Sequence, residues 1–173
     1  MDDGGRTGVV LSIIRTVAET GSTNADLLEL ARGGAEDGLW LRAIRQTAGR
    51  GRLGRDWSSP EGNLYASTLV RLRPTDPPAA SLALVAAVAL QETVSTFLVA
   101  GICQGTTDAS ATLVLKWPND LLLADAKLSG ILLERSGDAV IIGYGVNIAH
   151  HPDLPDRATT DLAAHGVVVD PAM

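Results

Sequence analysis

Residues 46–57 read Gln46-Thr47-Ala48-Gly49-Arg50-Gly51-Arg52-Leu53-Gly54-Arg55-Asp56-Trp57, a glycine–arginine run set between two stretches with strand character, 39–47 and 63–73. Glycine lets the backbone turn through positive φ and lie close against a ligand. Arginine adds permanent positive charge and a planar fork of donors matched to carboxylate or phosphate. Three glycines and three arginines interleave ahead of Trp57, which suits a flexible clamp on a small anion better than a solvated linker. A Walker loop needs Gly-Lys-Ser/Thr opening a helix, and the chain has none. A track for single-stranded nucleic acid needs several stacking aromatics, whereas aromatics are 3% of this chain.

The fold follows from the flanks outward. Residues 63–73 alternate, with Leu64, Ala66, Thr68 and Val70 on one side and Tyr65, Ser67, Leu69 and Arg71 on the other. Upstream, 9–17 is β-branched and reads as a strand. Thr20-Gly21-Ser22-Thr23-Asn24 then forms a turn that offers an N-cap to a helix over 25–32, stopped at Gly33-Gly34. Downstream, Pro74, Pro77 and Pro78 break the chain before a long helix over 79–99, and 101–111 reads as a polar surface loop. A strand over 112–117 stops at Pro118. A hairpin, 121–123 with 128–134, turns about Ala124-Asp125-Ala126. A strand covers 140–148, and a short helix near 160–164 is the one signal after His150. Short turns with few helical crossovers predict an α+β fold: a mixed, largely antiparallel sheet with helices packed on it, as one domain over 1–173.

Composition bounds the function. A net charge of −6 argues against a general DNA-binding surface, so the basic run reads as a local site. Apolar residues are 46% of the 173, enough for a core. Cys103 is the single cysteine, which fits a reducing cytoplasm and excludes an internal disulfide. The acidic start Met1-Asp2-Asp3 is no signal peptide. The most apolar stretch, 79–100, is interrupted by Gln91, Glu92 and Thr93 and reads as a buried helix, not a membrane span.

Two further clusters carry chemistry. Lys116-Trp117-Pro118-Asn119-Asp120 puts an ammonium, an amide and a carboxylate at one strand end, a set suited to a nucleotide phosphate and Mg²⁺, although Pro-Asn-Asp is also an ordinary turn. Lys116 on an apolar strand would be costly to bury without an anion. Lys127-Leu128-Ser129-Gly130 places a glycine inside a strand, the mark of a bulge or of a closely approaching ligand. His150, His151 and His165 lack a metal-ligand spacing, and Cys103 has no adjacent histidine. Arg45 has no role in this reading.

Taken in order, Ser22-Thr23-Asn24, the run 46–57, Ser59-Pro60, Gly62-Asn63-Leu64-Tyr65, Lys116 to Asp120, Lys127-Leu128-Ser129-Gly130-Ile131-Leu132 and Gly143-Tyr144-Gly145-Val146-Asn147 resemble the catalytic domain of biotin protein ligases over about residues 20–150. The resemblance implies a fold like that of class II aminoacyl-tRNA synthetases and biotin synthetases. It implies formation of biotinyl-5′-AMP from biotin and ATP with Mg²⁺, then transfer to a lysine of the biotin carboxyl carrier protein of acetyl-CoA carboxylase. By family position Ser22, Thr23, Asn24, Gln46, Gly49, Arg50, Gly51, Arg52, Lys127 and Gly130 would bind biotin. Arg52, Arg55, Trp57, Lys116, Asn119, Asp120 and Asn147 would bind the nucleotide, with Trp57 over the adenine and Asp120 toward the metal. Lys127, Arg52 and Lys116 would be catalytic. The family's further helices and C-terminal β-barrel, and a DNA-binding domain ahead of the catalytic one, are not expected here. A module that holds biotin or its adenylate with little transfer is therefore the alternative, and lipoate attachment is disfavoured by the run itself. Relatives that pair edge strands imply a homodimer.

Overall fold

In the computed structural model, which describes residues 14–171, the strand-forming stretches pair into one sheet. Its strands are β1 (Ile14–Thr20), β2 (Trp40–Gln46), β3 (Leu64–Arg71), β4 (Leu113–Lys116), β5 (Asp120–Leu123), β6 (Ala126–Ser136) and β7 (Ala139–Val146). Their order across the sheet is β1-β2-β3-β7-β6-β5-β4. Only β1 and β2 run parallel, joined by the helix α1 (Thr23–Arg32); the other neighbours are antiparallel. The mixed, largely antiparallel sheet is thus the one expected. Ala124 and Asp125 both have positive φ and close the β5–β6 hairpin.

Alternation along β7 sends residues to two cores. Ala139 and Ile141 meet α1 through Leu27 and Ala31, while Val140, Ile142 and Val146 meet the second helix, α2 (Ser81–Cys103), through Ala86, Leu90, Val94 and Leu98. Arg71 fastens α1 to β3 by donating to the carbonyls of Ala31 and Ala35, both at 2.8 Å. Arg45, unexplained by sequence, stands opposite Glu19 in the parallel β1–β2 register and pairs with it at 3.2 Å.

Several boundaries differ from the sequence reading. The first strand begins at Ile14 among the described residues, and the part of the expected strand over 9–13 lies outside them. The second helix continues through Cys103, so the expected loop over 101–111 loses its first residues and Cys103 sits exposed in the last helical turn. Its buried stripe runs on from Leu98 to Gly101, so packing carries it past the polar signal. By length and composition α2 also passes as a membrane-crossing helix, and it is buried along that stripe alone: Leu84, Val85, Val88 and Val99 lie exposed, against the expected buried helix. The helix near 160–164 shrinks to a 3₁₀ turn, Ala163–His165.

Asn63 ties β3 to the chain leaving β7. Its Oδ1 accepts the backbone N–H groups of Ile148, Ala149 and His150 at 2.8, 3.0 and 3.1 Å, and its Nδ2 donates to the His150 carbonyl at 2.8 Å. Because Asn63 is buried, Asn63→Ala strands several polar groups and is expected to cost roughly 2–4 kcal/mol, read as a lower denaturant midpoint at unchanged slope.

Candidate active site

The N-terminus of α1 builds one wall. Ser22 is the N-cap, its Oγ accepting the Ala25 N–H at 3.5 Å, and this turns Thr23 and Asn24 toward the sheet, where all three are buried. The Thr23 N–H donates to Gln46 Oε1 at 2.8 Å, and Gln46 Nε2 donates to Ser59 Oγ at 3.1 Å. Thr23 Oγ1 lies 2.7 Å from Ser67 Oγ, which donates to Asn24 Oδ1 at 2.6 Å. The wall is polar and uncharged, and Thr23 Oγ1 also reaches Gln46 Oε1 at 3.1 Å.

The floor is bare backbone. Gly130 of β6 faces Gly145 of β7 in register. A Cβ on Gly145 would stand 2.5 Å from the Trp57 indole and one on Gly130 3.1 Å from it, so the ring lies flat over both strands. The indole Nε1 is buried with no protein partner. Lys127 Nζ sits over the ring, 5.3 Å from its centroid.

A bulge sets the charged end. Leu121 pairs with Ser129 but Leu122 with Lys127, which leaves Leu128 without a register partner. Leu128 points into the α2 core, while Lys127 and Gly130 share the cavity side. Lys127 Nζ donates to Asp120 Oδ1 at 2.7 Å, with the two side chains 13% and 17% exposed, a pair shielded enough to matter. Asn119 Oδ1 accepts from Arg52 Nη1 at 3.0 Å. The tail laces along Lys127: the Ala158 carbonyl accepts its N–H at 2.9 Å and its own carbonyl accepts the Thr160 N–H at 3.0 Å. Asn147 is buried, its amide nitrogen donating to the Thr160 carbonyl at 3.0 Å, so it braces this tail. Arg157 and Asp156 join the rim, and the Arg157 hydrogen bond holds the Asp156 carboxyl below its usual range. On the far face, burial pushes the Tyr144 phenol up to about 12.

The run 49–57 folds back on itself. Gly51 N–H donates to the Arg55 carbonyl at 2.7 Å, Trp57 N–H to the Gly49 carbonyl at 3.0 Å, and Arg50 bridges Asp56. Lys116 corrects the burial argument: it is exposed at the rim, so no desolvation cost calls for an anion there. Among the described residues no three of His, Cys, Asp and Glu, Asp120 included, gather to hold a metal. The histidines have other work; His151 Nδ1 meets Asp161 Oδ2 at 2.6 Å.

Every residue that the sequence assigned to biotin, nucleotide or catalysis lines one cavity of about 1130 Å³. Residues 18–147 match the model of the biotin/lipoate A/B protein ligase family. The chain belongs to that family. It is 46% identical over 144 residues to a biotin–[acetyl-CoA-carboxylase] ligase of Paracoccus denitrificans, covering 79% of this chain and 55% of that relative. The biotin protein ligase of Leishmania major in complex with biotin superposes with a TM-score of 0.78 at 32% identity, over 92% of this chain and 68% of that one. That of Aquifex aeolicus in complex with biotin and ATP gives 0.73 at 33%, over 92% and 63%. The chain thus spans about half the length of the curated relative. The family match ends at Asn147, so the tail segment that backs Lys127 lies beyond it.

Sequence reading missed Ser67, Glu134, Asp156, Arg157 and Thr159. Ser67 and Glu134 sit inside alternating strands, where a polar residue reads as outward-facing; the tail is broken by Pro152 and Pro155 and has no periodicity. The bare floor is testable. Gly145→Ala puts a methyl into the indole and is expected to cost about 1–3 kcal/mol with a changed near-UV circular dichroism spectrum. Gly21→Ala, which meets nothing within 4 Å, is expected to leave the spectrum as it was.

Proposed function

We propose that this chain joins biotin to ATP as biotinyl-5′-AMP, releasing pyrophosphate, and then passes the biotinyl group to a lysine of the biotin carboxyl carrier protein of acetyl-CoA carboxylase. The observation that carries this reading is the placement of Lys127. Its ammonium lies on the bare glycine floor, at the border between the uncharged wall of Thr23, Asn24 and Gln46 and the cationic rim. A neutral bicyclic ureide suits the wall, and a carboxylate meeting an α-phosphate suits the ammonium.

Two anions must meet for the first step. The carboxylate oxygen attacks the α-phosphorus, the bond to the bridging oxygen of pyrophosphate breaks, and negative charge builds on the phosphoryl oxygens. Lys127 offers fixed positive charge at that point, with no reorganisation needed as the charge develops. Arg52, already donating to Asn119 across the cavity mouth, is placed to hold the adenylate phosphate with its fork. Trp57 and Arg55 close the nucleotide side, with Lys116 at the exposed rim. Mg²⁺ would come with the nucleotide's phosphates, using Asp120 and the Asn119 amide oxygen as its protein oxygens and neutralising polyphosphate charge. In the second step the carrier lysine attacks the acyl carbon and AMP leaves. The same reading puts the reaction in the cytoplasm, assigns no DNA or membrane partner, and offers the exposed edge strand β1 for pairing with a second copy.

The decisive experiment incubates the chain with labelled biotin, ATP, Mg²⁺ and an apo carrier domain, following pyrophosphate and carrier label; neither product appearing would refute the reading. Lys127→Ala is expected to slow single-turnover adenylate formation by roughly a hundredfold or more, with a smaller loss of biotin affinity. Unchanged adenylation would remove Lys127 from the chemistry. Arg52→Gly takes away one hold on the adenylate and adds backbone freedom. It is expected to release biotinyl-AMP faster and to label bystander proteins more loosely, as a filter-binding release assay would read.

A further inference from the structure

The wall of the cavity has a direction, and its shortest anchor is one carboxylate. Asn24 Nδ2 donates to Glu134 Oε2 at 2.9 Å and, over a longer 3.4 Å, to the Leu132 carbonyl. An ionised carboxylate only accepts hydrogen bonds, so it fixes which end of the Asn24 amide faces it. Asn24 Oδ1 is thereby turned to Ser67, and Ser67 must donate to it, at 2.6 Å. That uses the single hydroxyl proton of Ser67, so across the 2.7 Å contact between the two hydroxyls Thr23 is the donor; Gln46 Oε1 competes for the same Thr23 proton over a longer 3.1 Å. Space is as tight as the chemistry demands: a Cβ on Gly143 would stand 2.1 Å from Asn24 Oδ1, so the strand beneath has room for the amide because it carries no side chain there.

The other end of the wall is anchored as firmly. Ser59 donates to the Trp57 carbonyl at 3.0 Å and therefore accepts from Gln46 Nε2 at 3.1 Å, which points Gln46 Oε1 at the Thr23 N–H. With its proton drawn to the shorter Ser67 contact, and Gln46 Oε1 already served by the Thr23 N–H, Thr23 Oγ1 keeps lone pairs for the cavity.

We propose that Glu134 is a positioning residue: through Asn24 and Ser67 it holds Thr23 as a hydrogen-bond acceptor toward the ligand, and so selects a neutral ring N–H donor at this wall. This deepens the biotin reading and rests on it for the ligand's identity. Glu134 has a second neighbour, Arg50 of the clamp, whose Nη2 lies 3.9 Å from Oε1 with Arg50 half exposed. That contact is long and screened, so the hydrogen bond to Asn24, and not the charge pair, carries the effect.

Substitutions at position 134 separate the two. Glu134→Gln keeps an oxygen that accepts from Asn24 but loses the charge facing Arg50. Glu134→Ala removes the acceptor. Glu134→Lys offers only donors and forces the amide to turn. Titration calorimetry with biotin is expected to give an affinity within about threefold of wild type for Gln, a loss of about tenfold for Ala and a larger loss for Lys. In steady state the change is expected in the KM for biotin, with kcat and the KM for ATP little moved, and thermal midpoints identify any variant that has merely unfolded. A ligand-free readout runs beside it: side-chain amide hydrogen exchange of Asn24 by NMR is expected to be protected in wild type and Gln and fast in Ala. Gln behaving like Ala would assign the effect to the Arg50 pair and overturn the proposal, as would equal exchange in wild type and Ala. Absence of biotin binding by the wild-type chain overturns the functional reading instead, and the exchange data then decide the direction of the wall by themselves.

Discussion

Two glycines facing each other across β6 and β7 set the terms for the rest of the molecule. A sheet covered by helices normally fills both faces with side chains. Here Gly130 and Gly145 leave the middle of the α1 face without any, and that face is filled by α1 only toward the β3 side, through Leu27, Ala31 and Leu69. The gap left over is the cavity. Its depth follows from the backbone being the floor, and the Trp57 ring can lie on it only because no Cβ stands there.

The bulge in β5–β6 completes this arrangement. Were Leu128 paired in regular register, strict alternation would put Lys127 and Gly130 on opposite faces. With it, Leu128 and Ile131 both enter the α2 core while Lys127 and Gly130 share the cavity. One inserted residue therefore keeps the apolar core intact and delivers an ammonium to the floor. The tail strap of Ala158 and Thr160 then takes up the backbone groups of Lys127.

Much of this was legible in the sequence because each signal was local. The Gly–Arg run, Ser22 as cap, and the glycine inside β6 each carry their meaning within a few residues, and the structure gathers them into one cavity. What was not legible depends on partners far along the chain. Glu134 and Ser67 look like solvent-facing positions of alternating strands, and only the arrival of Asn24 from α1 makes them inward-facing. The end of α2 was missed because Gly101 ordinarily stops a helix, whereas here it continues the stripe packed on the sheet. Lys116 was misjudged in the other direction: β4 is a short edge strand, so its apolar sequence does not imply burial at its last residue.

Three cations of the site are not waiting as bare charges. Lys127 is paired with Asp120, Arg52 donates to Asn119, and Arg157 is held by Asp156. A chain of net charge −6 has little general attraction for polyanions, so affinity for a phosphate must come from exchanging these partners at short range. For Lys127 that exchange is nearly balanced. A shielded ammonium left without any anion is costly, and so is the lone Asp120 carboxylate that a departing Lys127 would leave behind. A ligand that brings both a carboxylate or phosphate for the lysine and a metal ion for the aspartate resolves both costs at once. A ligand bringing only one of them does not. On the proposed function, such a pair would suit a metal-bearing nucleotide better than a simple anion, without any residue dedicated to telling them apart.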